Sequence, residues 1–554
     1  MTRITGRSAF LQLLVDEGVT HLFGNPGTTE LPIMEVVPDF PQLKYVLGLH
    51  EAVVMAMADG FSRASGRLSA ANVHVAPGLG NAMGALYNAK FSGSPVILTA
   101  GQQDQGHGLL EPLLYDPLVP IAQPLVKWAV DVTRAEDLPR ILHRAAKIAL
   151  TPPTGPVFIS LPGDVLDQTV DMDMGCPVRV ESANRPSDET LSRLADRLLA
   201  AKRPVILAGQ ELAMRDAFAE AAELAELLGA AVYQSPIPYS AQFPTEHEAC
   251  MGSLTRTQSH VRAALQPYDL LFCLGADLLR MSVYSPLEPL PDHLPVVHLS
   301  ERSHELGKNY RTELAVQADV RQTLKALLPV LRAKRTPLAA ENAALRLAEL
   351  RPHNWSAQRD LARIEAMHAA ETAPIDPRYL MLRITETLPR DAVVVEEALT
   401  STVALPRLLP LRDRQCFFGL ASGGLGFGIP GAVGISLALP GRPVVAIVGD
   451  GSTMYGVQGL WTAAHHKLPI TYIIANNRSY RIIKERLVAM RSTAKFTGMD
   501  LRDPEIDFLH LGQSFGLAVR RVNDPQDIAP ALREAFASGR PNLVDIRVAD
   551  GFGA

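Results

Sequence analysis

Residues 443–467 read PVVAIVGDGSTMYGVQGLWTAAHHK, and residues 470–477 read ITYIIANN. Each opens on an unbroken apolar run rich in Val and Ile, the composition of a strand buried on both faces. In the first, Gly449, Asp450, Gly451 and Ser452 stand between that strand and a helical pattern. A carboxylate and free backbone N–H groups thus meet at a helix start, where a phosphate and its metal can bind. In the second, Asn476 and Asn477 close the strand, and Arg478, Ser479 and Tyr480 follow. Neighbouring parallel strands place both loops at one carboxyl edge, the ligand edge of open α/β sheets. One Asp, one amide oxygen and one backbone carbonyl suffice for a magnesium ion that shares its other positions with phosphate oxygens. Asp450, Asn477 and the carbonyl of Ser479 supply that set.

The same kind of run recurs along the chain: LSAANVHV at 68–75, PVILTAG at 95–101, PVFISLP at 156–162, PVILAG at 204–209, DLLFCLGA at 269–276, PVVHLS at 295–300, DAVVVEE at 391–397 and NLVDIRV at 542–548. Buried strands alternating with helical patterns predict an α/β fold with parallel sheets flanked by helices. A chain of 554 residues lies far above the size at which one core stops growing, so three domains are expected. Polar text around 176–190 and a charged, Ala-rich helical stretch from about 332 to 375 divide the series. The reading is an N-terminal domain at 1–180, a central domain at 188–332, a linker at 333–374 and a C-terminal domain at 375–554. The first and third segments are of similar size, yet no residue-by-residue repeat relates them.

A formal net charge of -5 and the lack of a Lys/Arg-rich tract leave no basic field for a polyanion, so nucleic acid is not an expected partner. The start, MTRITGRSAFLQLLVDEG, reads as a short amphipathic helix rather than a signal peptide. No run of about 20 uncharged apolar residues appears, and a cytoplasmic protein without membrane partners is expected. Cys176, Cys250, Cys273 and Cys416 are scattered, which suggests neither a metal knuckle nor a disulfide framework.

GDGS followed some two dozen residues later by NN resembles the thiamine diphosphate signature. A second motif fits that chemistry. In LGLHEAVVMAMADGFSRASGR, residues 47–67, small and apolar residues recur at helical spacing and Glu51 stands at the entrance. Thiamine chemistry needs a carboxylic acid against the pyrimidine ring, and apolar surroundings would keep Glu51 proton-competent near neutrality. FGNPGTTELP, NVHVAPGLGNAMGALYNA, SPVILTAGQQ, PLVKWA, ASGGLGFGIPGAVG and LWTAA together look like benzoylformate decarboxylase and its relatives, in the superfamily of acetolactate synthase and pyruvate decarboxylase. The likeness is strongest in the first and last thirds.

The resemblance implies a pyrimidine-binding first domain and a diphosphate-binding last domain. It puts Gly424 and Leu425 at the aminopyrimidine, with Leu425 wedging the cofactor into a bent form. Thr400, Gly451, Ser452 and Tyr455 would contact the diphosphate, with Tyr480 and Ile482 on the same side. It also implies a homotetramer, a dimer of dimers with sites between paired subunits. Thr28 matches a serine that faces the substrate carboxylate, although a turn or helix cap explains Thr28 and Thr29 equally. His74 matches a proton-relaying histidine. Ser282 falls where the family has a second histidine, so protonation after loss of carbon dioxide must differ. Ile482 and Arg486 replace a small and an aromatic residue, which alters a pocket for a bare phenyl ring.

The expected activity is decarboxylation of a 2-oxo acid with carboligation to an aldehyde acceptor. An acyloin-forming carboligase or lyase, including an acetolactate-synthase-like enzyme, is the alternative within the class. Outside it stands a Rossmann-type oxidoreductase, because Gly426 to Gly431 formally match GxGxxG. That match does not open from a buried strand and carries Pro430 inside the loop.

Overall fold

The computed structural model describes residues 1–236 and 239–552. Its buried strands assemble into three six-stranded parallel sheets, each flanked by helices. The first contains β1 (His21–Gly24), β2 (Lys44–Leu47), β3 (Ser69–Val73), β4 (Val96–Gln102), β5 (Ala129–Asp131) and β6 (Val157–Pro162), in the order β2-β1-β3-β4-β6-β5. The central sheet contains β7 (Pro204–Ala208), β8 (Ala231–Gln234), β9 (Cys250–Ser253), β10 (Leu270–Leu274), β11 (Val296–Ser300) and β12 (Leu314–Gln317), in the order β9-β8-β7-β10-β11-β12. The third contains β13 (Val393–Glu397), β14 (Phe417–Gly419), β15 (Val444–Gly449), β16 (Ile470–Asn476), β17 (Ala518–Val522) and β18 (Asn542–Arg547), in the order β14-β13-β15-β16-β18-β17.

The first and third sheets therefore share one strand order, a duplication that no residue repeat revealed. Each reverses direction between its first and third strands, β1 and β3 or β13 and β15. Crevices for ligands open at the carboxyl ends of strands at such a switch point. The central sheet has the order of a dinucleotide-binding fold, with its own switch point between β7 and β10.

Helices α1 (Glu51–Ser65) and α2 (Val75–Ser92) belong to the first domain, and α3 (Gly428–Ala438) to the third. Helices α1 and α3 cross tightly, and their apolar side chains join the first and third domains in one hydrophobic core: Val53, Val54, Met57 and Phe61 meet Val433 and Ile435 there. Each such buried side chain contributes roughly 1.5–3 kcal/mol. A Cβ at Gly60 would strike the Gly431 backbone, and one at Gly434 would strike the Met57 carbonyl. Of the formal GxGxxG match, Gly431 lies in this helix crossing, while Gly426 lies against Tyr455 and Gly428 against Glu397.

The N-terminal helix runs Gly6–Asp16, capped by the Thr5 hydroxyl, after a strand Thr2–Thr5 that pairs antiparallel with Thr169–Met172. The Ala-rich stretch forms helices Pro337–Leu350 and Trp355–Met367, and the buried Trp355 indole donates to the Pro406 carbonyl at 2.8 Å. Among the described residues no helix is long and apolar enough to cross a membrane.

Candidate active site

Side chains of two switch points form the site. In the first domain, β1 ends at Gly24 and the chain turns through Asn25, Pro26 and Gly27 into the short 3-10 turn Thr28–Glu30. Beside it, β3 runs out into His74, which stands just ahead of α2. The His74 Nδ1 lies 2.8 Å from Glu30 Oε2 and 3.1 Å from Thr29 Oγ1. Glu30 is wholly buried and also accepts from the Gly101 and Gly27 backbone N–H groups and the Thr29 hydroxyl, each at 2.9 Å. A carboxylate only accepts, so Nδ1 carries the proton and Nε2 is the ring nitrogen left to act as a base or donor. Gly27 is required by this packing, because a Cβ there would run into the imidazole.

Glu51 opens α1, buried, with His50 as the cap whose Nδ1 accepts from Ala52 N at 3.1 Å. Beside the apolar helix that follows it, its carboxylate has two polar partners. The Asn25 amide donates to Oε1 at 3.1 Å and the Asn81 amide to Oε2 at 3.0 Å. Two neutral donors orient the group without supplying a counter-charge.

In the third domain, β15 delivers Asp450 at the start of a single helical turn, Asp450–Thr453. Its carboxylate accepts from Gly451 N at 2.9 Å and from Ser479 N at 3.3 Å. Burial pushes this carboxyl up to about 6, so the bare site disfavours the anion that a bound cation would restore. Asn477 Oδ1 accepts from the same Ser479 N at 2.9 Å, and the buried Ser479 hydroxyl has no partner among the described residues. Asn476 plays a different part, donating to Asp545 at 2.9 Å within the core. Asp450 and Asn477 thus bring a carboxylate and an amide oxygen to one backbone N–H, donor types that fit a hard divalent ion such as magnesium.

A loop from Ala421 to Gly428 lies between the two halves. At one end Asn88 of α2 accepts from Ala421 N and Ser422 N, both at 3.1 Å. At the other, the wholly buried Glu397 at the end of β13 accepts from Gly426 N at 2.7 Å and from Gly428 N. Burial raises the Glu397 carboxyl to about 7, against the pull of those two N–H groups. Gly424 rests near the Gly84 backbone, one turn along α2 from Asn81. The loop is thus held by α2 of the first domain at one end and by β13 of the third at the other. Positive φ values at Val75, Leu399 and Arg478, none of them glycine, mark the loops after β3, β13 and β16. Such strained backbone gathers where the surrounding fold over-determines a functional geometry.

Several residues singled out in the sequence stand elsewhere. Thr28 is exposed, and Thr29 is the hydroxyl on His74. Ser282 is exposed on the loop after β10 and touches none of the residues above. Ile482 and Arg486 lie on the helix Arg481–Arg491, Ile482 half-buried and Arg486 exposed. Thr400 and Leu425 are half-buried, while Tyr455 is exposed, with its backbone beside Gly426. Tyr480 packs its ring against Gly451, and Ser452 is buried. Sequence reasoning missed Glu30, Asn25, Asn81 and Glu397. The first and last carried a signal: an acid three residues after Gly27, and an acid ending a run of buried valines.

The chain matches three consecutive parts of one family description, thiamine pyrophosphate enzyme. These are the N-terminal TPP binding domain over residues 4–111, the central domain over 191–327 and the C-terminal TPP binding domain over 400–546. It is 33% identical over 546 residues to benzoylformate decarboxylase of Pseudomonas aeruginosa, covering 98% of each chain. It is 25% identical to the acetolactate synthase isozyme 3 large subunit of Escherichia coli, covering 99% of this chain and 95% of that one. Among solved structures, the thiamine diphosphate-dependent 4-hydroxybenzoylformate decarboxylase of Rhodococcus jostii RHA1 superposes with a TM-score of 0.87 at 32% identity, covering 99% of both chains.

Proposed function

Because the chain belongs to the thiamine pyrophosphate enzyme family and its relatives are carboxy-lyases, we propose that it decarboxylates a 2-oxo acid and ligates the product to an aldehyde acceptor. The observation that carries the reading is the pairing of two switch points. One holds an acid in an amide cradle beside a carboxylate-anchored histidine; the other gathers a buried oxygen set beneath a helix start. Thiamine diphosphate, when bound, would supply a carbon nucleophile and an electron sink for carbon–carbon cleavage.

The residues divide the remaining work. Asp450, Asn477 and the Ser479 carbonyl hold magnesium, and Thr400, Gly451, Ser452 and Tyr455 receive the diphosphate, with Tyr480 and Ile482 closing that side. Glu397 sets the loop that carries Gly424 and Leu425, so the Leu425 side chain can press the cofactor into its bent form. Glu51 holds and returns a proton at its carboxyl oxygen, aimed by Asn25 and Asn81. His74 presents Nε2 to the substrate side, locked by Glu30, and Thr28 offers its hydroxyl to the substrate carboxylate. The domain bounds are taken as 1–180, 188–332 and 375–554. The working form is a cytoplasmic homotetramer, a dimer of dimers in which Glu51 serves cofactor held mainly by the neighbouring subunit.

Ser282 favours carboligation within this reading. It brings no imidazole where the resemblance puts a second histidine, so proton delivery after carbon dioxide loss would be slowed and addition to a second carbonyl favoured. Incubating the enzyme with one aromatic or branched 2-oxo acid and excess aldehyde, then quantifying free aldehyde and hydroxyketone, tests this. Hydroxyketone in excess over free aldehyde is expected, and neither product from any 2-oxo acid would overturn the reading.

A further inference from the structure

A cavity of about 170 Å³ opens where all three domains meet, and none of the residues assigned to the cofactor site lines it. Its charge is one-sided. Arg63, Arg215 and Arg414 line it, and among the described lining residues there is no carboxylate. Arg215 is neutralised by a two-pronged pair with Glu301. Arg63 donates to the carbonyl oxygens of Gly419 and Tyr239, not to an acid. Arg414 reaches only Asp216, at 3.8 Å, and Asp216 is shared with Arg321. Among the described residues neither Arg63 nor Arg414 has a carboxylate within hydrogen-bond distance, and the buried Asp59 acts on Arg63 only through space.

Two donors add to this field. Gln210, buried at the carboxyl end of β7 and so at the switch point of the central sheet, has an amide nitrogen without a hydrogen-bond partner among the described residues. Its neighbour, the Tyr239 hydroxyl, donates to the Phe91 carbonyl at 3.5 Å. The Ser240 hydroxyl is likewise unpartnered. A buried amide N–H without an acceptor is costly, so an acceptor in the cavity gains from pairing with Gln210. Pro95, Leu150, Ala213, Met214 and Phe418 give the wall an apolar part, beside the side chains of Ser62, Ser92, Ser94, Thr154 and Gln415. An apolar cavity of about 150 Å³ holds a benzene ring, so this space suits a ring or branched body with one anionic head.

We propose that this cavity binds a small organic monocarboxylate, its head on Arg414 and Gln210 and its body against Phe418 and Leu150. The site is coupled to the cofactor loop by contact. Arg63 lies on α1, the helix that Glu51 begins, and its guanidinium stacks 4.6 Å from the Phe427 ring centroid while holding the Gly419 carbonyl. A ligand that braces Arg63 therefore steadies the stretch between Gly419 and Phe427, which carries Gly424 and Leu425.

The test uses the full-length holoenzyme and benzoate as probe, independently of which 2-oxo acid is turned over. Calorimetric titration should show benzoate binding that weakens at least about tenfold in Arg414→Met and in Gln210→Leu, with thiamine diphosphate affinity unchanged in both. Benzamide, alike in shape but uncharged, should bind at least about tenfold more weakly than benzoate. Equal affinity for the two probes would overturn the proposal. So would benzoate binding that is unaltered in Arg414→Met and strictly competitive with the 2-oxo acid, because that places the probe in the substrate site. Preferential binding of inorganic phosphate over benzoate would refute the monocarboxylate assignment.

Discussion

Replacing Glu30 with Gln tests whether the histidine acts as a free base or as half of a pair. The buried carboxylate accepts four hydrogen bonds: from His74 and Gly27 N on one oxygen, and from Gly101 N and Thr29 on the other. A glutamine has one acceptor oxygen and one amino group. Whichever way it turns, a buried backbone N–H of Gly27 or Gly101 faces another donor, at about 1–3 kcal/mol, and the charge-assisted bond to His74, worth about 1.5–3 kcal/mol, is lost or inverted. A net loss near 3 kcal/mol in the positioning of Nε2 corresponds to roughly a hundredfold in turnover. The assay is a double-mutant cycle on kcat with cofactor saturating. His74→Ala alone should cost about 10²–10⁴-fold, the range for a positioned acid or base. Glu30→Gln added to His74→Ala should cost little more, because the pair acts as a unit. Additive losses, with thiamine diphosphate affinity intact, would show that Glu30 serves only the local fold and would refute the coupling.

Glu51→Gln should retain cofactor binding and lower turnover at least about a hundredfold, read from single-turnover kinetics; near-normal turnover would assign the pyrimidine proton to another group. Ser282→His should move products from hydroxyketone toward free aldehyde, and an unchanged ratio in folded, loaded protein would take Ser282 out of the proton path. His21 packs 4.7 Å from the Phe61 ring, and burial beside Lys44 and His466 lowers its imidazole to about 4. The folded state thus resists a proton that the unfolded chain takes below about 6.5, so stability is full above that pH and is lost as pH falls toward 4. His21→Phe should flatten the decline of melting temperature between pH 6.5 and 4.5, whereas parallel declines would show that other groups set acid sensitivity.

The architecture was legible where a single strand or loop carries the information. Runs such as PVVAIVGD and ITYIIANN are apolar because both faces of a parallel strand are covered, and Asp450 and Asn477 follow them at the edge where such sheets bind ligands. Strand order was not legible, since it depends on which way each crossover packs and leaves no local pattern. The pairing of Glu30 with His74 joins residues 44 apart in the chain. Asn25 and Asn81 likewise reach Glu51 from two other elements, so the carboxylate that a helix pattern sets among Ala, Val and Met sits in a polar cradle. The GxGxxG spacing at Gly426, discounted in the sequence for want of a preceding strand and for Pro430, comes from separate packing needs: Gly426 against Tyr455, Gly428 against Glu397 and Gly431 in the helix crossing. Thr28 and Thr29 could not be told apart, as a one-residue difference along a 3-10 turn decides which hydroxyl faces His74.

The central claim is that the helical turn that Asp450 begins directly after β15 and the loop after β16 hold thiamine diphosphate through magnesium. Calorimetric titration of the cofactor into wild-type and Asp450→Ala protein, each with and without magnesium, addresses it directly. Tight binding that requires magnesium in the wild type, and that is lost in Asp450→Ala while circular dichroism shows the fold retained, is the predicted result. Undiminished, magnesium-dependent binding in Asp450→Ala would contradict the account.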